Sequence, residues 1–225
     1  MAPLAMVLFT LGFVIVGGFL PPPSPSMSAT EVVAFYNENT NGKRLGLAIT
    51  MIAAAFTIPF VAALTVQMRR IEGPASPLAF TQLAVGTLGW VVFAIPVMIM
   101  EAAAFRTDRD PDALLAIHDI GWIMLVGTYS AVLIQCFVVG FCALQDKAGV
   151  VWPRWVAYYN FWVGLLFLPG TLLYFFKDGP FAWNGIFVWW IPLTVFCSWF
   201  FLMAFVTVQA VNREERAAGP QPMPS

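Results

Sequence analysis

The chain has 225 residues, 60% of them hydrophobic and only 10% charged, with a net charge of −1 and a mean hydropathy of +0.80. A soluble domain carries about 25% charged residues, so most of this chain has no side made for water, and it lacks the basic face that nucleic acid requires. Its single histidine, His118, and three scattered cysteines, Cys136, Cys142 and Cys197, exclude a bis-histidine haem, a di-iron bundle and a zinc site, so neither cofactor nor metal is expected.

A membrane span needs roughly 20 mostly apolar residues. The first such run covers residues 4–20. It has no positive n-region and no clear small-residue cleavage site, which favours a retained helix over a signal peptide. Pro21-Pro22-Pro23 stops it, because proline lacks the donor N–H and clashes with the preceding turn. Ser28 and Glu31 then stand at capping-box spacing and predict a short amphipathic helix, lying at the interface, that contains Tyr36.

The second span is read over 45–67, with Pro59 as a kink, and the third over 77–101, with Pro96 bending its far end. Asp110-Pro111-Asp112 predicts a strong start for the fourth: an acidic N-cap, proline at N1, and an acid in the first turn. That helix runs over 111–145, about 35 residues or ~52 Å, against a hydrocarbon core of ~30 Å. Its first turns must therefore project, or it must break near Gly121 or Gly127. Spans five and six are expected over 154–175 and 181–211. Residues 212–225, charged and then proline-rich, read as a disordered cytoplasmic tail.

The expected architecture is therefore all-α: a single integral membrane domain over 1–211, a six-helix bundle with a short interfacial helix after span one. With six spans, Arg69, Arg70, Lys147, Arg154, Arg213 and Arg216 share the side of both termini. Lys43, Arg44, Arg106, Arg109 and Lys177 lie on the other. The bias places both termini in the cytoplasm of a bacterial cell, with the chain in its inner membrane.

Several strings carry a likeness: Pro21-Pro22-Pro23-Ser24-Pro25-Ser26, Gln67-Met68-Arg69-Arg70-Ile71-Glu72-Gly73, Trp152-Pro153-Arg154-Trp155, and Lys177-Asp178-Gly179-Pro180-Phe181-Ala182-Trp183-Asn184-Gly185. In these the chain resembles a group of small bacterial multi-span membrane proteins of similar length. The resemblance implies a class, and no catalytic residues.

Candidate functional residues gather between spans three and four. Glu101, Asp112, His118 and Asp119 fall near one lipid–water boundary, where an ionisable group is costly and points to function. As catalytic groups, Glu101 or Asp119 would be the acid and His118 its proton partner. The bland alternative is a solvated rim paired with Arg106 or Arg109. Trp122, Lys177, Asn184 and Tyr36 are ligand-binding candidates on the same side. Gln67, Gln82, Gln145 and Asn160 form a second polar layer that reads as interhelical hydrogen bonding.

The leading functional expectation is a membrane protein, or accessory subunit, that binds a small apolar or lipid-like molecule, or a partner membrane protein, through its aromatic outer half. The rival is a membrane-embedded acid–base enzyme of isomerase or cyclase type acting on a lipid-like substrate. A transporter stands third, since internal repeats and charged broken helices are missing. Convergence of Glu101 and Asp119 around a cavity would favour the enzyme; separate positions would favour binding.

Overall fold

A computed structural model describes residues 1–218, all of its regular structure helical. Among the described residues five helical segments are long and apolar enough to cross a membrane: Thr40–Glu72, Pro77–Phe105, Pro111–Gln145, Trp155–Tyr174 and Ile186–Ala217. With the shorter apolar segment Ala2–Val16 they make the membrane bundle expected from the sequence. The first helix is shorter than expected: α1 (Ala2–Phe9) passes into a π-helical segment, Thr10–Val16, and regular structure ends there. The interfacial helix is α2 (Ala29–Glu38). Its capping box is complete: the Ser28 N–H donates to the Glu31 carboxylate at 2.7 Å and the Glu31 N–H to the Ser28 hydroxyl at 3.4 Å.

Asn39 alone separates α2 from α3 (Thr40–Ala55), and its side chain accepts from the Gly42 N–H at 3.0 Å. Phe56 then interrupts the span before α4 (Thr57–Glu72). The cause is Pro59, which has no N–H to give to the Ala55 carbonyl three residues before Ile58 and one before Phe56. The Glu72 carboxylate accepts from the N–H groups of Leu78 and Ala79, at 3.1 and 2.7 Å, and so caps α5 (Pro77–Phe105) across a turn. At the far end of α5, Arg44 donates to the Ala104 and Phe105 carbonyls and Arg109 to Ala102.

Asp110 caps α6 (Pro111–Val126) as predicted, accepting from Asp112 and Ala113 N–H at 3.1 and 3.2 Å. The over-long fourth span breaks at Gly127 and Thr128, and α7 (Tyr129–Gln145) continues it. The turn to α8 (Trp155–Leu166) closes on Asp146, whose carboxylate accepts from the N–H groups of Val150, Val151 and Trp152. A 3-10 segment, Leu168–Tyr174, completes that span.

Residues 175–185 are irregular, so the last span starts later than expected, with a π turn at Ile186–Trp190 leading into α9 (Ile191–Ala218). That helix corrects the expected tail. Residues 212–218 continue it, because they are good helix formers and Glu214 meets Arg70 at 2.9 Å. The remainder of the expected disordered tail, 219–225, lies outside the described residues.

The buried side chains form two separate cores. One, at the Asn160 end, joins α1, α4, α7, α8 and α9 around Leu64, Met68, Trp152 and Met203. The other, at the His118 end, joins the Thr10–Val16 segment, α2, α3, α5 and α6 around Phe13, Tyr36, Met100 and Trp122. Close approach at the second core depends on Gly46, where an added Cβ would stand 2.5 Å from the Gly12 carbonyl oxygen.

Candidate functional site

His118 lies on α6, one helical turn before Trp122, so both rings point into the same core. It is 1% exposed, and Trp122 is not exposed at all. The Nδ1 of His118 meets the Tyr36 hydroxyl of α2 at 3.3 Å. Burial pushes the Tyr36 phenol above its ordinary range, so it stays a neutral hydroxyl. Among the described residues the Nε2 of His118 is buried with no partner, as are the indole N–H groups of Trp122 and Trp189.

An aromatic cluster closes around this histidine. Trp183 stacks on Trp122 with ring centroids 6.4 Å apart and planes 16° from parallel, and meets the imidazole edge at 6.2 Å. Phe35 meets the imidazole at 6.0 Å, and Trp189 meets Trp122 at 5.4 Å. Two irregular segments clasp the cluster. The Trp183 indole N–H donates to the Pro23 carbonyl at 2.8 Å, and the Ser26 hydroxyl donates to Asp178 at 2.6 Å. The proline run after α1 and the turn before the last span thus hold each other over His118.

Sequence reasoning missed Lys43. It is 3% exposed, and its ammonium sits 3.9 Å from the Phe35 centroid and 5.6 Å from that of Phe19. A cation over aromatic faces recovers part of its lost hydration. Its position at the start of a span, next to Arg44, concealed it among the flanking charges that mark a span's end.

The acidic candidates face different cations. Glu101 and Asp119 are partly buried, each with one buried oxygen lacking a partner among the described residues, and no hydrogen bond joins them. The cation facing Glu101 is Arg44, and the one facing Asp119 is Lys177. Arg109, a possible partner in the solvated-rim reading, caps α5 instead. Asp112 and Lys177 are exposed, and Asn184 is partly buried. Among the described residues no group of His, Cys, Asp or Glu is arranged to hold a metal.

At the other end, Asn160 joins helices as expected. Its oxygen accepts from the Trp199 indole of α9 at 2.7 Å, and its amide donates to the Val156 carbonyl at 2.8 Å. Gln67 accepts from Arg70 on its own helix, and Gln82 is buried with no partner among the described residues for either amide atom.

Between the two cores lies a two-lobed apolar cavity. One lobe, of about 120 Å³, is bounded by Phe9, Phe93, Val132, Phe167, Trp189 and Phe196. The second, of about 110 Å³, is bounded by Met6, Ala53, Gly89, Trp90, Ala131 and Thr57. Phe9, Phe93, Thr128, Val132 and Phe196 border both. The helix interruptions converge on it: Phe9 ends α1, Thr57 follows the Phe56 break, Thr128 marks the α6–α7 break, and Phe167 ends α8. Irregular backbone at membrane depth is tolerated where protein buries it or where it lines a cavity. Here hydroxyls satisfy part of it, Thr57 donating to Ala54 and Thr128 to Leu125. Neither lobe is bordered by Glu101, Asp112, His118, Asp119, Trp122, Lys177, Asn184 or Tyr36.

No family model, curated protein or solved structure matches this chain.

Proposed function

We propose that this multi-pass membrane protein binds a small lipid-like molecule in the cavity between its two cores. The observation that carries the reading is the two-lobed cavity itself, lined by aromatic rings at the level where four helices are interrupted. A cavity without purpose is costly, since each missing methyl-sized contact destabilises by ~1 kcal/mol. That Glu101 and Asp119 face different cations and border neither lobe also favours binding over acid–base chemistry. The ligand reaches the cavity from the bilayer of a bacterial inner membrane, and both termini face the cytoplasm. Native mass spectrometry of protein purified in mild detergent tests the reading. A discrete bound species of lipid-like mass supports it, and a bare protein that takes up no lipid overturns it.

A second reading rests on a different observation, the buried and unpartnered atoms of His118, Glu101 and Asp119 at one end. On this reading the chain is an isomerase- or cyclase-type enzyme for a lipid-like substrate. Glu101→Gln and Asp119→Asn would then change the bound species while the exposed control Asp108→Asn does not. If all three variants behave alike, the acids are a rim.

A further inference from the structure

We infer that the ligand of the cavity between the cores is a bilayer lipid that inserts one acyl chain into the two lobes and leaves its polar head outside. This deepens the binding reading and rests on it. What a molecule in either lobe touches is almost wholly carbon. Trp189 borders the first lobe and Trp90 the second, but both indole nitrogens are sealed within the protein, so these residues present ring carbon. The Thr57 and Thr128 hydroxyls give their protons to the Ala54 and Leu125 carbonyls. Tyr129, beside the first lobe, alone adds a hydroxyl not bonded in this way, too little to receive a head group.

Among the described residues no charged side chain borders either lobe. A phosphate, amine or glycerol head drawn inside would lose its water with nothing to replace it. A hydrocarbon chain loses nothing, because these side chains are as apolar as the lipid tails it leaves. The source is at hand. Both lobes are partly open, and the helix interruptions that border them lie within the spans, at a depth where lipid tails are the surrounding medium. Size favours a single chain. A dry cavity of about 150 Å³ holds a molecule like benzene. Lobes of about 120 and 110 Å³ therefore each house a short stretch of chain, and only the pair houses a longer one. Phe9, Phe93 and Phe196 border both lobes, and the Phe9 and Phe93 ring centroids stand 5.9 Å apart. A flexible chain bends past such rings, and a rigid fused-ring body does not.

The test places the full chain in phosphatidylcholine vesicles with one of three photolabile probes. The first is a phosphatidylcholine with a diazirine in the middle of an acyl chain, the second the same lipid with the diazirine on its head, and the third a diazirine sterol. After illumination the modified residues are mapped by mass spectrometry, in the wild type and in Gly89→Leu. Met6 and Phe167 are buried, and each borders one lobe. Ile134, exposed on α7, reports insertion of both proteins into the bilayer. The expected result is labelling of Met6 and Phe167 by the chain probe alone, with loss of the Met6 label in Gly89→Leu and an unchanged label at Ile134. Labelling of Met6 or Phe167 by the head probe overturns the exclusion of the head. Labelling by the sterol equal to that by the chain probe overturns the single-chain assignment. Both results leave the cavity reading standing. A Met6 label that survives in Gly89→Leu overturns the placement of the chain in the second lobe. No label on Met6 or Phe167 from any probe, while native mass spectrometry finds a bound species, overturns this inference alone. No label and no bound species overturn the cavity reading with it.

Discussion

At one end of this bundle a buried amide uses both its oxygen and its nitrogen; at the other a buried imidazole uses one nitrogen and leaves the second bare. Asn160 ties α8 to Trp199 of α9 and bonds its own helix as well. Among the described residues His118 hydrogen-bonds only to Tyr36, and the orphaned groups at its end of the bundle include Glu101 and Asp119. The Asn160 end has orphans too, Gln82, Trp152 and Thr207, but none of them titrates. The first core also carries aromatic pairs, Phe60 with Trp199 and Phe200 among them, but its central polar group is a satisfied amide link. The second is built from aromatic rings around ionisable groups and is shut by two loops that hold each other. Where these two kinds of packing meet, neither fills the space, and the cavity is what remains.

The largest expected effect lies in the aromatic core. Trp122 is fully buried and touches Phe13, Phe19, His118, Trp183 and Trp189. Trp122→Ala should cost ~3–5 kcal/mol, read as a drop in melting temperature in detergent. A small loss would mean that the cluster is loose and the comparison fails at its richest point.

Next comes the polar contrast. Asn160→Leu leaves the Trp199 indole without its acceptor in a dry interface and should cost ~1–3 kcal/mol. The double variant Tyr36→Phe with His118→Phe removes both members of a pair and should be nearly neutral, because nothing buried is newly orphaned. If the double variant proves the more damaging, the His118 end depends on its polar pair as much as the other end depends on its amide.

The sequence made much of this legible. Run lengths of apolar residues located the spans, and local chemistry located the helix starts at Ser28 and Asp110, because caps act within three residues. The break of the fourth span at Gly127 is one of the two positions expected for it, beside the alternative that its first turns project. Less legible were the events that depend on distant residues. Nothing local announces that Glu72 caps the next helix, or that Arg44 and Arg109 cap the far end of α5. The helical continuation over 212–218 was hidden because charge was read as disorder, while Arg70, remote in sequence, meets Glu214.

The candidate site was half legible. His118, Trp122 and Tyr36 do meet, since the short loops on one side bring them together. Trp183 stands in the sequence only within the string Lys177–Gly185, and Lys43 only as a flanking charge. The cavity was invisible, because apolar residues that line a gap and those that face lipid are the same residues. The one available signal was the interruptions, Pro59, Gly127 and Pro169, each placed within a span.

A smaller effect tests the walls of the contrast. Asp110→Ala removes the acceptor for two N–H groups at the start of α6, which carries His118 and Trp122. It should cost ~1 kcal/mol, again as a lower melting temperature, and an unchanged melting temperature would remove the cap from the account of how α6 is held.

The most direct test of the central claim, that a ligand lies between the two cores, is Gly89→Leu, with melting temperature and bound species measured on the same sample. Gly89 borders the second lobe, and an added Cβ there meets no atom within 4 Å. Leucine in place of a helix-interior glycine favours the helix by up to ~1 kcal/mol and fills the lobe. The account predicts a melting temperature at or above that of the wild-type protein measured without ligand, together with loss of the bound lipid-like species. Retention of that species at the wild-type level in a well-folded Gly89→Leu protein would contradict it.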